Sequence, residues 1–308
     1  MPQVLSSLRD CQVSDLIETD AREKLCGGHL LLQIRLASSE VTALKEPLPL
    51  FIHVSRLSYL PFLFDTVREH FKSSIPPKLG REDYYIWFDY EHIALKWQYP
   101  LGVLCDIYIG ADVPVPLDLT VHFTESHLSR DLLPYSGIGD IQKVVMNQFR
   151  QALYLQQNSL APFGKLPKQQ QTDLWESIKS SNVEAFAKVQ TNSDLLFRNL
   201  TGCRSLAVRL HICSSAGGQP HHVLLHPLAP LRHEDTPSRV QDFLKEAMPV
   251  LLDASGTLLE GVELIMHGIR LPLETPLYWL ALNGSYLDLF VHLVARVPPH
   301  LVTRSASE

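Results

Sequence analysis

The sequence predicts an α+β fold in which two similar strand-and-helix halves flank a helix-rich segment, and three observations carry that reading. From His29 the hydrophobic period changes from helical to alternating, immediately after Gly27-Gly28. The alternating pattern then recurs at a nearly constant distance. Leu30-x-Leu32-x-Ile34-x-Leu36 returns as Leu206-x-Val208-x-Leu210-x-Ile212, 176 residues on. Asp65-x-Val67-Arg68-Glu69 returns as Asp242-x-Leu244-Lys245-Glu246 at 177. Ile93-x-Leu95-x4-Pro100-Leu101-x2-Leu104 returns without gaps as Ile269-x-Leu271-x4-Pro276-Leu277-x2-Leu280 at 176, and Leu119-x-Val121-His122 as Leu289-x-Val291-His292 at 170. Finally, each half runs strand, strand, helix, strand, strand, short helix, strand. That is the order of the ubiquitin-like (β-grasp) fold, in which two hairpins bury one face of a sheet against the long helix.

In chain order, 1–27 is expected to be an N-terminal helical segment, with Val4, Leu5, Leu8, Leu16 and Ile17 as apolar positions of one helix or two short ones over 3–25. Residues 28–125 form the first ubiquitin-like domain. Strands are read at 29–36, 49–56, 84–90, 93–96 and 117–124, with a helix over 61–72 and a short one opened by Pro100. Residues 137–200 form the helix-rich domain, with helices at 138–158, 172–180 and 182–199 around a polar tract at 162–171. Thr172 and Asn182 are the expected N-caps. The second ubiquitin-like domain spans 203–297, and 298–308 is a tail.

Composition excludes several classes. A formal charge of −6 and the lack of any Lys/Arg block argue against a nucleic-acid binder. Five cysteines without a C-x-x-C pair favour reduced, structural thiols over a disulfide frame or zinc site. Neither a signal peptide nor a membrane-spanning run is read. The longest apolar stretch, near 101–119, is broken by Asp106, Asp112 and prolines, so membrane contact is expected to be peripheral. No P-loop, G-x-G-x-x-G, G-x-S-x-G or H-E-x-x-H pattern occurs, and no cofactor is expected. His211, His221, His222 and His226 read as sheet and loop histidines rather than metal ligands. Cys105, in an apolar helix, reads as a packing thiol, with a thioester-forming nucleophile as the enzymatic alternative. The end of the chain carries no slim glycine tail, so neither half is expected to be a transferable modifier.

Several segments then resemble the autophagy-related protein 5 family along essentially the whole chain. They are Val54-Ser55-Arg56-Leu57-Ser58-Tyr59-Leu60, Ile86-Trp87-Phe88-Asp89-Tyr90-Glu91, Leu95-Lys96-Trp97-Gln98-Tyr99-Pro100-Leu101-Gly102, Leu119-Thr120-Val121-His122-Phe123, and Met266-His267-Gly268-Ile269 with Leu273-Glu274-Thr275-Pro276-Leu277. The resemblance implies a non-catalytic core subunit of a ligase-like complex with autophagy-related proteins 12 and 16. That complex promotes attachment of autophagy-related protein 8 to phosphatidylethanolamine, acting indirectly on the E2-like autophagy-related protein 3. It also implies a cytoplasmic protein recruited peripherally to the preautophagosomal membrane.

Family members carry the ubiquitin-like protein 12 on a lysine. Matching Asn147-Gln148-Phe149-Arg150-Gln151 to the family motif puts Arg150 at that position. A guanidinium cannot be deprotonated to attack a thioester, so partner 12 is expected to bind non-covalently. The alternative is conjugation through another lysine such as Lys143, about 10 Å away along the same helix. By the same resemblance Trp97, Gln98, Gln148 and Arg150 face partner 12, and Arg56 and Gly102 adjoin the groove for the N-terminal helix of partner 16.

Overall fold

The computed structural model describes residues 8, 11–75, 85–124, 132–216, 221–232, 235–299 and 301. Val4 and Leu5 lie outside the described residues. The described residues of the N-terminal stretch include two short helices, α1 (Val13–Leu16) and α2 (Thr19–Cys26). Asn283 separates them: its Oδ1 accepts from Glu18 N–H at 2.7 Å and its Nδ2 donates to Leu16 O. Gly27 ends α2 by donating its N–H to Glu23 O.

The first sheet contains β1 (His29–Leu36), β2 (Leu50–Ser55), β3 (Tyr85–Tyr90), β4 (Ile93–Ala94) and β5 (Leu117–Thr124), in the spatial order β2-β1-β5-β3-β4. Leu30, Leu32, Ile34 and Leu36 share one buried face of β1, as the alternation requires. Against them lies α3 (Phe64–Phe71), whose Phe64, Val67 and Phe71 are buried. A fully buried side chain of this kind contributes roughly 1.5–3 kcal/mol. The expected helix over 61–72 starts as a 3₁₀ turn at Leu60–Leu63, with Pro61 early in it. Pro100 sits just before α4 (Leu101–Tyr108) as its N-cap, rather than inside the first turn.

The middle segment holds four helices rather than three: α5 (Ile138–Gln157), α6 (Ala161–Gly164), α7 (Lys168–Lys179) and α8 (Val183–Thr191). The short α6 arises where buried Phe163 draws the polar tract inward. Thr172 is not a cap. The helix already begins after Pro167, and Thr172 Oγ1 donates to Lys168 O within it. Asn182 does cap α8, accepting from Ala185 N–H at 2.9 Å. That helix stops at Thr191 instead of 199, because Phe197 and Leu200 leave it to join the core of the second domain.

The second sheet contains β6 (Val208–Ser214), β7 (His221–Leu225), β8 (Glu263–Met266), β9 (Ile269–Arg270) and β10 (Val291–Val297), with helices α9 (Val240–Ala247) and α10 (Leu277–Asn283). Its order, β7-β6-β10-β8-β9, repeats the first sheet strand for strand. Both centre on a parallel pair, with Ile34 opposite Leu119 in one and Leu210 opposite Leu293 in the other. Ile93 and Leu101 begin β4 and α4 as Ile269 and Leu277 begin β9 and α10, so the repeat at these elements is a repeat in space. In the last strand the register differs from the sequence match: the counterpart of Leu119 is Leu293, 174 residues on, while Leu289 lies ahead of β10.

The sheets differ in their second face. Every residue of β6 is buried. Val208, Leu210 and Ile212 belong to the core of their own domain, which also contains Val240, Phe243 and Leu244 of α9. Cys213 instead donates its thiol to Ile107 O of α4 at 3.3 Å. Nearby, Arg296 donates to Ile109 O, and Arg270 pairs with Asp112 at 2.7 Å. The second sheet's other face is therefore packed against α4 of the first domain. Among the described residues no helix is long and apolar enough to cross a membrane.

On the first sheet's outer face, His122 lies flat on the Trp87 ring at 3.9 Å. Its Nδ1 meets Glu40 at 3.0 Å and its Nε2 meets Asp89 at 2.6 Å. A neutral imidazole has one N–H, so two carboxylate partners call for the cation. Burial opposes that charge, but the two carboxylates raise the imidazole above its ordinary range. The resulting stabilisation is fully present below about pH 6.5 and is lost as the pH rises through the folded value. In urea denaturation, His122→Gln should cost about 1–3 kcal/mol at pH 6 and less at pH 9. Equal costs at both would rule out the charged clamp.

Candidate functional site

Trp97, Gln98 and Gln148 come together where α5 meets the first domain. Trp97 is buried, donates its indole N–H to Leu133 O at 2.8 Å and meets Tyr135 edge-on. Gln148 donates to Gln98 O at 3.3 Å, tying α5 to the segment ahead of α4. The side-chain oxygens of both glutamines are buried without a hydrogen-bond partner.

Arg150 is not part of that cluster. Residues two apart on a helix do not face one another, and Arg150 leans toward α6 instead. Its guanidinium lies 4.6 Å from the Phe163 ring centroid and donates to Asn147 Oδ1 at 3.2 Å. Half-buried and partnered within the helical segment, it keeps several N–H groups free of those contacts. Lys143 occupies the same side of α5, with an exposed side chain paired with Asp140 at 3.4 Å. One turn beyond Arg150, Tyr154 is 51% exposed, so this face also offers a large aromatic ring to solvent.

Arg56 and Gly102 do meet, in a joint between the two ubiquitin-like domains. Gly102 N–H donates to Arg56 O at 2.7 Å, Arg56 N–H donates to Gly28 O at 3.0 Å, and Arg56 Nη2 donates to Gly102 O at 3.1 Å. The guanidinium also pairs with Asp106; the two side chains are only 8% and 1% exposed. Glycines make this room. A Cβ on Gly102 would fall 2.9 Å from both Arg56 O and Tyr286 Oη, and one on Gly28 2.8 Å from Arg56 Cδ. Gly268, in the β8–β9 turn at φ +78°, faces the guanidinium from the second domain. Next to it His267 stacks on Tyr286 at 4.3 Å and bonds Gly284 O at 2.7 Å.

Burial raises the Asp106 carboxyl to about 7, while Arg56 and the backbone N–H groups of Gly268 and His267 pull the other way. Those amides act at longer range, since Asp106 Oδ2 makes no hydrogen bond of ordinary geometry. Nothing in the local sequence marks Tyr286 or His267 as part of this joint, and Asp106 is marked only weakly. The available signal was a lone carboxylate in the apolar helix Leu101–Tyr108. Gly102 and Arg56 thus form an internal joint, and a substitution at Gly102 acts first on this packing.

Cys105 is buried beside that joint, its thiol pushed up to about 12 by burial. About 10 Å³ of free space adjoins it, room for about one water molecule. Such a thiol is neither ionised nor reachable for thioester chemistry. The four histidines near 211–226 separate in space: His211 and His221 pair across β6 and β7, whereas His226 approaches Glu246 at 3.8 Å. The third member of their cluster is His292, from β10. Among the described residues no group of three or more His, Cys, Asp or Glu could hold a metal ion.

Comparison with known proteins gives matches along the chain. Three family models match in order: "Autophagy protein ATG5, UblA domain" over 25–123, "Autophagy protein ATG5, alpha-helical bundle region" over 139–193, and "Autophagy protein ATG5, UblB domain" over 205–295. Autophagy protein 5 of Oryza sativa subsp. indica is 31% identical over 176 residues, 57% of this chain and 45% of that protein. The Arabidopsis thaliana protein of the same name is 32% identical over 53% of this chain and 46% of its own length. That of Aspergillus oryzae is 29% identical over 66% of this chain and 69% of its own length. The chain thus spans about half the length of the plant relatives it matches. The crystal structure of Kluyveromyces marxianus Atg5 covers 91% of this chain and 100% of its own, with a TM-score of 0.74 at 23% identity, which is a likeness of fold.

Removing the guanidinium from the joint leaves a buried carboxylate without its counter-charge. Arg56→Ala should destabilise the protein by about 3–5 kcal/mol in urea denaturation at pH 7. The loss should be larger at pH 9 than at pH 6, because an unpaired Asp106 must be ionised against burial as the pH rises. A loss under 1 kcal/mol, or one independent of pH, would show the pair to be solvated.

Proposed function

The chain belongs to the autophagy protein 5 family, and on that premise we propose that it is a non-catalytic scaffold of the autophagy ligase-like complex, holding autophagy-related protein 12 without a covalent bond. In this reading residues 28–125 and 203–297 are the two ubiquitin-like domains and 137–200 is the helix-rich domain. The complex includes autophagy-related protein 16 and stimulates the E2-like autophagy-related protein 3 to attach autophagy-related protein 8 to phosphatidylethanolamine. The protein is placed in the cytoplasm, with peripheral recruitment to the preautophagosomal membrane.

The observation that carries the non-covalent reading is the guanidinium at position 150. Amide formation needs an amine that can shed a proton and attack a thioester, and a group with a pKa above ~12 does not supply one. The placement of Arg150 supports a contact role instead: it is held over Phe163 with N–H groups left to bond carboxylates or carbonyls in pairs. Trp97, Gln98 and Gln148 are assigned to the same partner. Trp97 acts from beneath the surface, since its ring is buried. Arg56 and Gly102 are assigned to the groove for the partner 16 helix, where they act by fixing how the two domains meet. The buried, protonated Cys105 favours this scaffold role over a thioester enzyme.

Without a tether, partner 12 is no longer held at a high effective concentration, and the surfaces alone must supply the affinity. That requires an interface of standard size, on the order of 1,600 Å² in total. The complex should survive gel filtration and separate completely in boiling detergent. Arg150→Ala should weaken it by about tenfold or more, as loss of charge-assisted hydrogen bonds does. A detergent-resistant adduct recovered from native cells and mapped to Lys143 or another lysine would overturn the reading.

A further inference from the structure

The seam between the domains holds a row of hydrogen-bonded imidazoles that the proposed function does not use. His221 Nε2 lies 3.0 Å from His211 Nδ1, and His211 Nε2 lies 2.9 Å from His292 Nδ1. His292 Nε2 in turn lies 3.0 Å from Asp288 Oδ2. His211, His292 and Asp288 are 0–1% exposed. Asp288 also accepts from Phe290 N–H at 3.0 Å.

Hydrogen-bond direction is fixed along this row. With Asp288 ionised and the rings neutral, His292 must carry its proton on Nε2, leaving Nδ1 as an acceptor. His211 must then donate from Nε2 and accept at Nδ1, and His221 must donate from Nε2. One nitrogen is left over, His221 Nδ1, which is buried with no partner. The row has a place for one further proton, at that outer end. A second would set N–H against N–H across a gap of about 3 Å.

The surroundings make even the first proton costly. Lys96 and Tyr99 face the row from the segment before α4, the Tyr99 ring standing edge-on to His211 at 5.1 Å and to His221 at 5.8 Å. Tyr59 approaches Asp288 from the first domain with its hydroxyl buried. On β6, Arg209 stacks on Phe290 and is held by Gln151 of α5. His222 adjoins His221, while Tyr286 meets His292 edge-on and His267 lies near it. Against these cations and imidazoles, Asp288 is the carboxylate in contact with the row.

We propose that His221, His211, His292 and Asp288 form a proton-binding lock between the two ubiquitin-like domains, closed while the imidazoles are neutral and opened by mild acidification. Burial depresses all three imidazoles, His221 to about 4. An unfolded histidine titrates near 6.5, so the stability these rings confer is present above that value and is lost as the pH falls through it.

The test uses the full chain. Nitrogen-15 spectra of the imidazoles at pH 7.5 should show the Nε2–H tautomer for His211, His221 and His292; an Nδ1–H form of His211 or His292 would overturn the directed row. Between pH 7.5 and 5.5 the folding constant of the wild type should fall about tenfold more than that of His211→Gln, one titrating group having been removed. Over the same interval amide exchange, corrected for its intrinsic pH dependence, should speed up across β6 and residues 96–100. Parallel loss of stability in the two proteins, or unchanged protection at the seam, would overturn the lock. Should His211→Gln fail to fold, the wild-type spectra and exchange decide.

Discussion

The rest of the molecule depends on burial of the second face of a β-sheet. A sheet in a β-grasp unit needs only one covered face, and its strands alternate accordingly. Here the second domain's central strands are covered on both sides, by α9 on one and by the first domain on the other. Residues that alternation would hand to water are therefore trapped. Arg209, His211, Cys213 and His292 are all buried. A buried polar group without a partner costs roughly 1–3 kcal/mol, so each of these needs a bond across the seam or along it. The thiol of Cys213 to Ile107 and the imidazole row are the outcome.

The joint at Arg56 answers the same constraint at the other end of the contact. A guanidinium between two domains is tolerated because Asp106 supplies charge and Gly28, Gly102 and Gly268 supply space. A buried ion pair of this kind contributes little net stability compared with apolar packing, yet breaking it is costly. Its value lies in geometry: the pair closes only when both domains occupy one relative placement. A partner helix that touches more than one domain would read that placement.

The strands and their repeat were legible because alternation is a direct imprint of one buried face. Leu30, Leu32, Ile34 and Leu36 announce β1, and their images announce β6. The seam was not legible for the same reason. His211 and His292 sit at positions that alternation assigns to the open face, and nothing local says that another domain lies there. Helix ends depart from the local pattern where tertiary demands take over, as at Thr191, beyond which Phe197 and Leu200 are claimed by another core. Arg56 and Gly102 are paired in the sequence only through the family resemblance. Their partners Asp106, Tyr286 and Gly268 come from distant parts of the chain, and only the folded structure assembles them.

The cage around Arg56 also orders events in time. Arg56, Gly102 and Asp106 leave the ribosome together, whereas Gly268 and Tyr286 follow about 200 residues later. Until then the pair lacks the walls that Gly268 and Tyr286 supply. Docking of the second ubiquitin-like domain completes the walls of the joint. The first domain thus waits, electrostatically unfinished, for the turn at Gly268.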